Sequence, residues 1–337
     1  MKPVFRPTTP EDAPQLRDFF QRVFRNNAGP ALLSPDHMHW KYWTPRPDWE
    51  GSRSYVVERD GNIVAHGAAW PLCLNAAGRL SGFYLYDWGA DAESPGMGAA
   101  VFGRMARLVD LVWVAGGTDE ATRTRAATGF RKVRPVFNYA LPLHPARMEL
   151  TRPSRNWKML ARLFRNLCWR LGAAAPAHGW ETVLVSDPDQ LPPASQNGFD
   201  SSKAFGHYYS QCPAARVHWY EVRKNGELAG FFTLLKVPGQ ARLAEAAVLR
   251  PDPDAWRNIA ALAVRTALEW DGADEIAVLT SLDEFRAGLE AAGFHLRGQE
   301  DAMVYDPGNK LGDARFHFQL LHGDLAFLHQ GQPAYLC

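Results

Sequence analysis

The chain carries the same arrangement of residues twice, and this repeat constrains its fold more than any other feature. In the first half, residues 54–72, SYVVERDGNIVAHGAAWPL, set β-rich runs on either side of Asp60-Gly61, a tight-turn dipeptide. In the second half, residues 218–236, HWYEVRKNGELAGFFTLLK, do the same around Asn225-Gly226. Another strand follows each hairpin, at 82–89 and at 242–249. Then comes a helix, at 98–109 with Val101, Met105 and Leu108 apolar, and at 256–270 with Ile259, Ala263 and Leu268. The strands LVWVAGG and EIAVLTS come next. A short helix closes each unit at Gly129-Phe130 and Gly293-Phe294, with glycine in the C′ position. Hairpin glycine and closing glycine are 68 residues apart in the first unit (61 to 129) and 67 in the second (226 to 293). Matching order and spacing predict a tandem α/β repeat. Each closing helix also has a start signal: Thr118 before Asp119 and Glu120, and Ser281 with Glu284 as a capping box.

Between the units the pattern changes. SRNWKMLARLFRNLCWRLG reads as a basic amphipathic helix, with Leu160, Leu163, Phe164, Leu167 and Leu171 on one stripe. Arg155, Lys158, Arg162, Arg165 and Arg170 fill much of the remainder. Two readings stand: a connector docked against both units, or a peripheral membrane contact through 155–171. The expected organisation is a first unit at 1–147, connector and linker at 148–179, a second unit at 180–309, and a C-terminal tail at 310–337.

The 37 Lys+Arg against 36 Asp+Glu leave the chain nearly neutral, which argues against a nucleic-acid partner. Four scattered cysteines without a C-x-x-C, and an N-terminus with no apolar h-region, point to a reduced, cytoplasmic setting. His37 and His39 have no evident third ligand, so no metal is expected. Nothing in the sequence sets the oligomeric state.

The order hairpin, strand, glycine loop, long helix, strand, short helix ending in Gly-Phe resembles the GCN5-related N-acetyltransferase (GNAT) superfamily. The opening FRPTTPEDAPQLRDFFQRVF looks like that family's first strand, turn and amphipathic helix. The resemblance implies an α/β fold of two tandem GNAT-like domains, each a mixed, mostly antiparallel central sheet flanked by helices. It also implies an acyl-CoA-dependent N-acyltransferase, using acetyl-CoA or another acyl-CoA and a small-molecule amine acceptor. Similar two-unit chains occur among bacterial proteins linked to polysaccharide or cell-envelope biosynthesis. Two further readings are a non-catalytic degenerate pair acting as a binding or scaffold module, and a Fem-type aminoacyl transferase.

The family's Gln/Arg-x-x-Gly-x-Gly/Ala motif falls here on Glu93-Ser94-Pro95-Gly96-Met97-Gly98. Glycines suit that place because unpaired N–H groups at a helix N-terminus attract a phosphate, which approaches only where no Cβ intervenes. Ser94, Gly96, Met97, Gly98 and Ala99 are therefore the expected coenzyme contacts. Glu93 stands where the family places a donor, and Arg104, Arg107, Arg123 or Arg125 would supply positive charge in its stead. The second unit has RPDPDAWRNIAALA at the same place, without glycine, and is expected not to bind coenzyme A. Asp87, on the first central strand, is the candidate general base, with pairing to an arginine or capping of a bulge as the alternatives. Backbone N–H groups at Trp88 and Gly89 are candidate oxyanion or pantetheine contacts. The tyrosine that the family often uses as general acid is replaced by Arg125 and, in the second unit, Leu289. Tyr84, Tyr86 and Tyr139 are the candidate substitutes. Trp40, Tyr42, Trp43 and Trp49 are candidates for the acceptor entrance.

Overall fold

The computed structural model describes residues 2–25, 29–75, 78–117, 119–152, 157–192, 198–199, 205–312, 314 and 316–337. Thr118 and Arg155, read above as a helix cap and as part of the connector, lie outside the described residues. The first half runs β1 (Val4–Pro7), α1 (Ala13–Phe24), α2 (Pro30–Leu33), α3 (Pro35–Met38) and a π-helical turn (His39–Trp43). It continues with β2 (Ser54–Arg59), β3 (Asn62–Asn75), β4 (Arg79–Ala90), α4 (Met97–Met105), β5 (Leu111–Ala115), α5 (Asp119–Ala127) and β6 (Arg131–Pro142). α6 (Pro145–Thr151) and α7 (Met159–Leu171) join the halves. The second half holds β7 (Trp180–Val185), α8 (Gly206–Ser210), β8 (Arg216–Lys224), β9 (Glu227–Val237) and β10 (Gly239–Val248). It ends with α9 (Ala255–Leu268), β11 (Ala273–Thr280), α10 (Asp283–Ala291) and β12 (His295–Tyr305).

The turns follow from local backbone chemistry. Asp60 and Gly61 have φ of 54° and 78°, and Asn225 and Gly226 have 52° and 84°, so both hairpins have two central residues in the left-handed region. Gly129 and Gly293, at 92° and 94°, end α5 and α10. The second capping signal was misread. Ser281 does not cap α10; its Oγ accepts from the Phe318 N–H at 2.8 Å.

The described strands form one sheet in the order β1-β2-β3-β4-β5-β12-β6-β11-β10-β9-β8-β7. All neighbours are antiparallel except β4 with β5 and β10 with β11. The repeat therefore builds two halves of like topology, and the halves exchange their last strands. β6 lies between β12 and β11, and β12 lies between β5 and β6.

α4 covers one face of the first half through Val101, Phe102 and Met105 against Phe83, Val112 and Val114. The opposite face buries α1 together with Trp40, Trp70 and Tyr86, and the tail adds Phe318, Leu321 and Phe327 to that core. α9 and α10 cover the second half. α7 packs on α6 and β6 with Leu163 half-buried and Leu160, Phe164, Leu167 and Leu171 turned outward, so most of the stripe does not dock the connector.

Candidate functional site

β4 and β5 pair only at Gly82–Leu111, Phe83–Val112 and Tyr84–Trp113, and then diverge. A β-bulge lies just beyond. His66 pairs Gly89 and Ala68 pairs Tyr86, so Asp87 and Trp88 together oppose Gly67. Asp87 sits in the left-handed region at φ 46°, an uncommon conformation for a residue with a side chain. Gly67 lets α4 pack close to it, since a Cβ would come within 2.9 Å of Met105 Sδ. α1 closes on the same place: a Cβ at Gly89 would stand 2.9 Å from Val23 and 3.2 Å from Phe24. The indole of Trp88 donates to the Gly98 carbonyl at 2.8 Å, tying the strand to the start of α4.

The loop from β4 to α4 is pinned on both flanks. Arg22 pairs with Asp91 at 2.7 Å, and the Asp91 N–H donates to Val64 at 2.9 Å. Ser94 is buried and accepts from Arg59 Nη2 at 2.9 Å. Gly96 has φ of 82° and open space where a Cβ would stand. Met97 donates to the Ser94 carbonyl at 3.2 Å and Ala100 to the Gly96 carbonyl at 2.9 Å. Gly98 and Ala99 lie between them in the first turn, where backbone N–H groups have no acceptor within the helix. The first turn and its glycines thus form a cradle of the kind an anion fits.

Glu93 is exposed, and Arg123 is exposed on α5. Arg125 is buried and donates to the Gly116 carbonyl just past β5. Burial draws its guanidinium below the ordinary range, against the opposing influence of Tyr84 and Glu300. The cations tied to the loop among the described residues are Arg22, on α1, and Arg59, on β2, and the sequence reading missed both; Arg59 holds Ser94. Its distance from Ser94 along the chain, 35 residues, left no local signal.

Behind the bulge lies a buried charge cluster. The π-helical turn carries Lys41 and Tyr42, and both donate to Asp87 Oδ2, at 2.8 and 2.6 Å. Lys41 also donates to Asp324 Oδ2 at 2.8 Å, from the C-terminal tail. Burial alone would raise the Asp87 carboxyl, but the Lys41 charge and the bonds from Lys41 and Tyr42 outweigh it and hold the group below its ordinary range. Asp324 moves the other way, because burial and the nearby Asp87 charge exceed what Lys41 returns. Burial would draw Lys41 down, and its two carboxylates keep it raised. His66 bridges the Asp87 carbonyl (2.7 Å) and Ser54 Oγ (2.8 Å). Asp87 thus pairs with a lysine rather than the arginine of the alternative reading.

Tyr139 is not brought to Asp87. It lies on β6, three strands from β4, and its hydroxyl donates to Glu290 at 2.5 Å. Tyr84 donates to the Ala115 carbonyl at 2.9 Å and Tyr86 to the Lys41 carbonyl at 3.3 Å. Trp40 and Tyr42 are core residues, while Trp43 and Trp49 line a surface pocket of about 540 Å³ with Arg46 and Asp48. His37 is buried and His39 exposed, so they do not act as a pair. Among the described residues, Asp187, Asp189 and His207 bring ligand atoms within 4.8 Å of one another at the surface. Asp187 Oδ1 there already accepts from the Asp189 N–H at 2.9 Å.

The second half repeats the divergence, with β10 and β11 paired as far as Leu243–Val278. There the gap is filled by the chain itself. Gln319 forms an antiparallel bridge with Thr280, and its side-chain amide both accepts from Ala246 N–H (2.8 Å) and donates to Ala246 C=O (3.1 Å). The Ser281 N–H donates to the Phe318 carbonyl at 3.0 Å. A groove of about 840 Å³ between α9 and α10 has Asp252, Asp254, Glu284, Arg257 and His317 on its walls. Asp252 caps the Asp254 N–H at 2.9 Å and pairs with Lys224 at 2.6 Å. Among the described residues no main-chain segment bridges the first divergence in this way.

No protein-family profile and no curated protein matches the chain. Solved structures do. A tandem GNAT protein from the clavulanic acid biosynthesis pathway superposes with a TM-score of 0.60 at 15% identity, over 91% of this chain and 99% of that one. A GCN5-related N-acetyltransferase from Anabaena variabilis gives 0.58 at 10% identity, over 90% and 73%. N-myristoyltransferase of Saccharomyces cerevisiae, solved with myristoyl-CoA, gives 0.55 at 14% identity, over 90% and 79%. The chain has a tandem GNAT-like fold.

Proposed function

We propose that the protein is an acyl-CoA-dependent N-acyltransferase with a single coenzyme site, in the first half. The observation that carries this reading is the contrast between the two divergences: among the described residues no main-chain segment bridges the first, which is followed by a glycine-lined helix start, whereas the second is bridged by Phe318 and Gln319. The N–H groups of Gly98 and Ala99 receive the pyrophosphate, and Gly96 and Gly98 clear its approach. Ser94 and Met97 shape the turn, and Arg59 and Arg123 supply positive charge. The pantetheine arm follows β4 past Tyr84, where β5 no longer takes its hydrogen bonds. Backbone N–H groups at Trp88 and Gly89 face the thioester and stabilise the oxyanion.

The amine attacks the thioester carbonyl, its nitrogen forms the new bond, the thiolate leaves, and the surplus proton must be taken up. Asp87 is the acceptor through a water, acting with Lys41 and Asp324 as one unit. Its commitment to Lys41 and Tyr42 lowers its basicity, and this favours a second reading, a module that binds coenzyme without turnover.

Gly98→Glu tests the site. A Cβ there meets Ala90 Cβ at 3.5 Å and Trp88 Nε1 at 3.7 Å, both ordinary contacts, and unchanged circular dichroism checks that the variant is folded. Acetyl-CoA or a longer acyl-CoA should raise the melting temperature of the wild type and leave this variant unmoved. Equal protection of both would sink the assignment, and protection without acyl transfer to any amine would favour the second reading.

A further inference from the structure

α7 faces the protein with its polar side and the solvent with its apolar side. Trp157, just before the helix, is 86% exposed, and Leu160, Phe164, Leu167 and Leu171 are 69%, 71%, 43% and 85% exposed. Their spacing of three and four residues puts them on one line along the helix. The inner side is held by specific polar and aromatic contacts. Asn166 is buried, Arg162 pairs with Glu149 at 2.8 Å, and Trp169 stacks on His295 at 3.9 Å. The outward stripe is therefore set by the packing and is not a helix end swinging free.

The segment that carries the stripe is basic in sequence, and Glu149 just before it is buried against Arg152 and Arg162. Residues 150–180 contain six Lys or Arg and no Asp or Glu, in a chain whose net charge is only +1. Arg165 and Arg297 lie against the Trp169 ring, at 4.4 and 5.3 Å. Burial and the neighbouring charges of Arg297, Arg152 and Arg162 together draw the Arg165 guanidinium below its ordinary range. A second copy meeting this stripe would set these cations against their own equivalents, with no acid in the segment to pair them. A surface that is anionic at the level of the arginines and apolar beneath answers both features at once.

We propose that α7 docks the protein in the plane of an anionic lipid bilayer, with Trp157, Leu160, Phe164, Leu167 and Leu171 entering the acyl boundary and the flanking cations meeting lipid phosphates. This goes beyond acyl transfer and stands without it. No helix among the described residues is long and apolar enough to cross a membrane, so the contact is interfacial.

The full chain is sedimented with vesicles of phosphatidylcholine alone and of phosphatidylcholine with about one third phosphatidylglycerol. It should bind the anionic vesicles, weaken as salt rises, and bind the neutral ones far less. Leu160→Ser with Phe164→Ser removes two exposed side chains and no core contact. Its partition should fall about tenfold or more with unchanged circular dichroism. No binding to anionic vesicles overturns the proposal, as does equal binding by this variant. A wild-type dimer that becomes a monomer in the variant, with no vesicle binding, would assign the stripe to a second copy and overturn it as well.

Discussion

Asp87 and Asp324 should differ sharply in what their charge is worth, although both touch the same lysine. Both Oδ2 atoms lie 2.8 Å from Lys41 Nζ, so the two oxygens are at most about 5.6 Å apart. Two negative charges at about 5 Å repel by roughly 3 kcal/mol at an effective dielectric of 20. One buried lysine balances one carboxylate, and the opposite shifts identify Asp87 as the ionised partner and Asp324 as the one pushed towards its neutral form. Asp87→Asn leaves Lys41 facing only the carboxyl least able to ionise and should cost ~3–5 kcal/mol, as when a buried pair loses one member. Asp324→Asn removes the carboxyl that burial and the Asp87 charge push towards its neutral form and keeps its shape, so it should cost less, ~1–2 kcal/mol. Urea unfolding at pH 7, followed by tryptophan fluorescence and far-ultraviolet circular dichroism, reads both values. An Asp324→Asn loss equal to or above that of Asp87→Asn would refute the charge assignment.

Burial pushes His37, His66 and His322 down to about 3, about 4 and about 3, whereas the unfolded chain titrates near the ordinary value. The unfolded state therefore binds more protons below about pH 6.5, and stability is full above that value and lost as pH falls towards the folded values. Each histidine should remove ~2 kcal/mol by pH 5, or ~6 kcal/mol together; an unfolding free energy that is flat between pH 7.5 and 5 would contradict this. Gln319→Ala leaves the Ala246 N–H and C=O without their side-chain partner and should cost ~2–4 kcal/mol by thermal or urea unfolding. It should create no second coenzyme site, since the α9 start lacks glycine. Residues 1–147 expressed alone lose β12 from the β5 edge and carry β6 without either of its neighbours. They should fail to give a cooperative unfolding transition, and a cooperative one would show that the strand exchange is dispensable.

The repeat was legible because its signals are local: turn dipeptides, closing glycines and apolar periods each act within a few residues. The glycine loop at Gly96 and Gly98 was legible for the same reason. The exchange of β6 and β12 was not, since a strand's own pattern shows that one face is buried and does not show which neighbour it joins. The charge cluster was equally hidden, because Lys41 meets Asp87 across 46 positions and Asp324 across 283. Ser281 matched a capping box and was taken by a tertiary partner, Phe318. α7 shows a limit of another kind. Amphipathic spacing locates a stripe, but only the packing of Asn166 and Trp169 shows which side the protein covers.

The central claim is one coenzyme site, held by the start of α4 and absent from the start of α9. Its most direct test is the stoichiometry of acyl-CoA binding by isothermal titration calorimetry, on the wild type and on Gly98→Glu. The account predicts one acyl-CoA per chain in the wild type and none in the variant. Two sites per chain, or one site that survives Gly98→Glu, would contradict it.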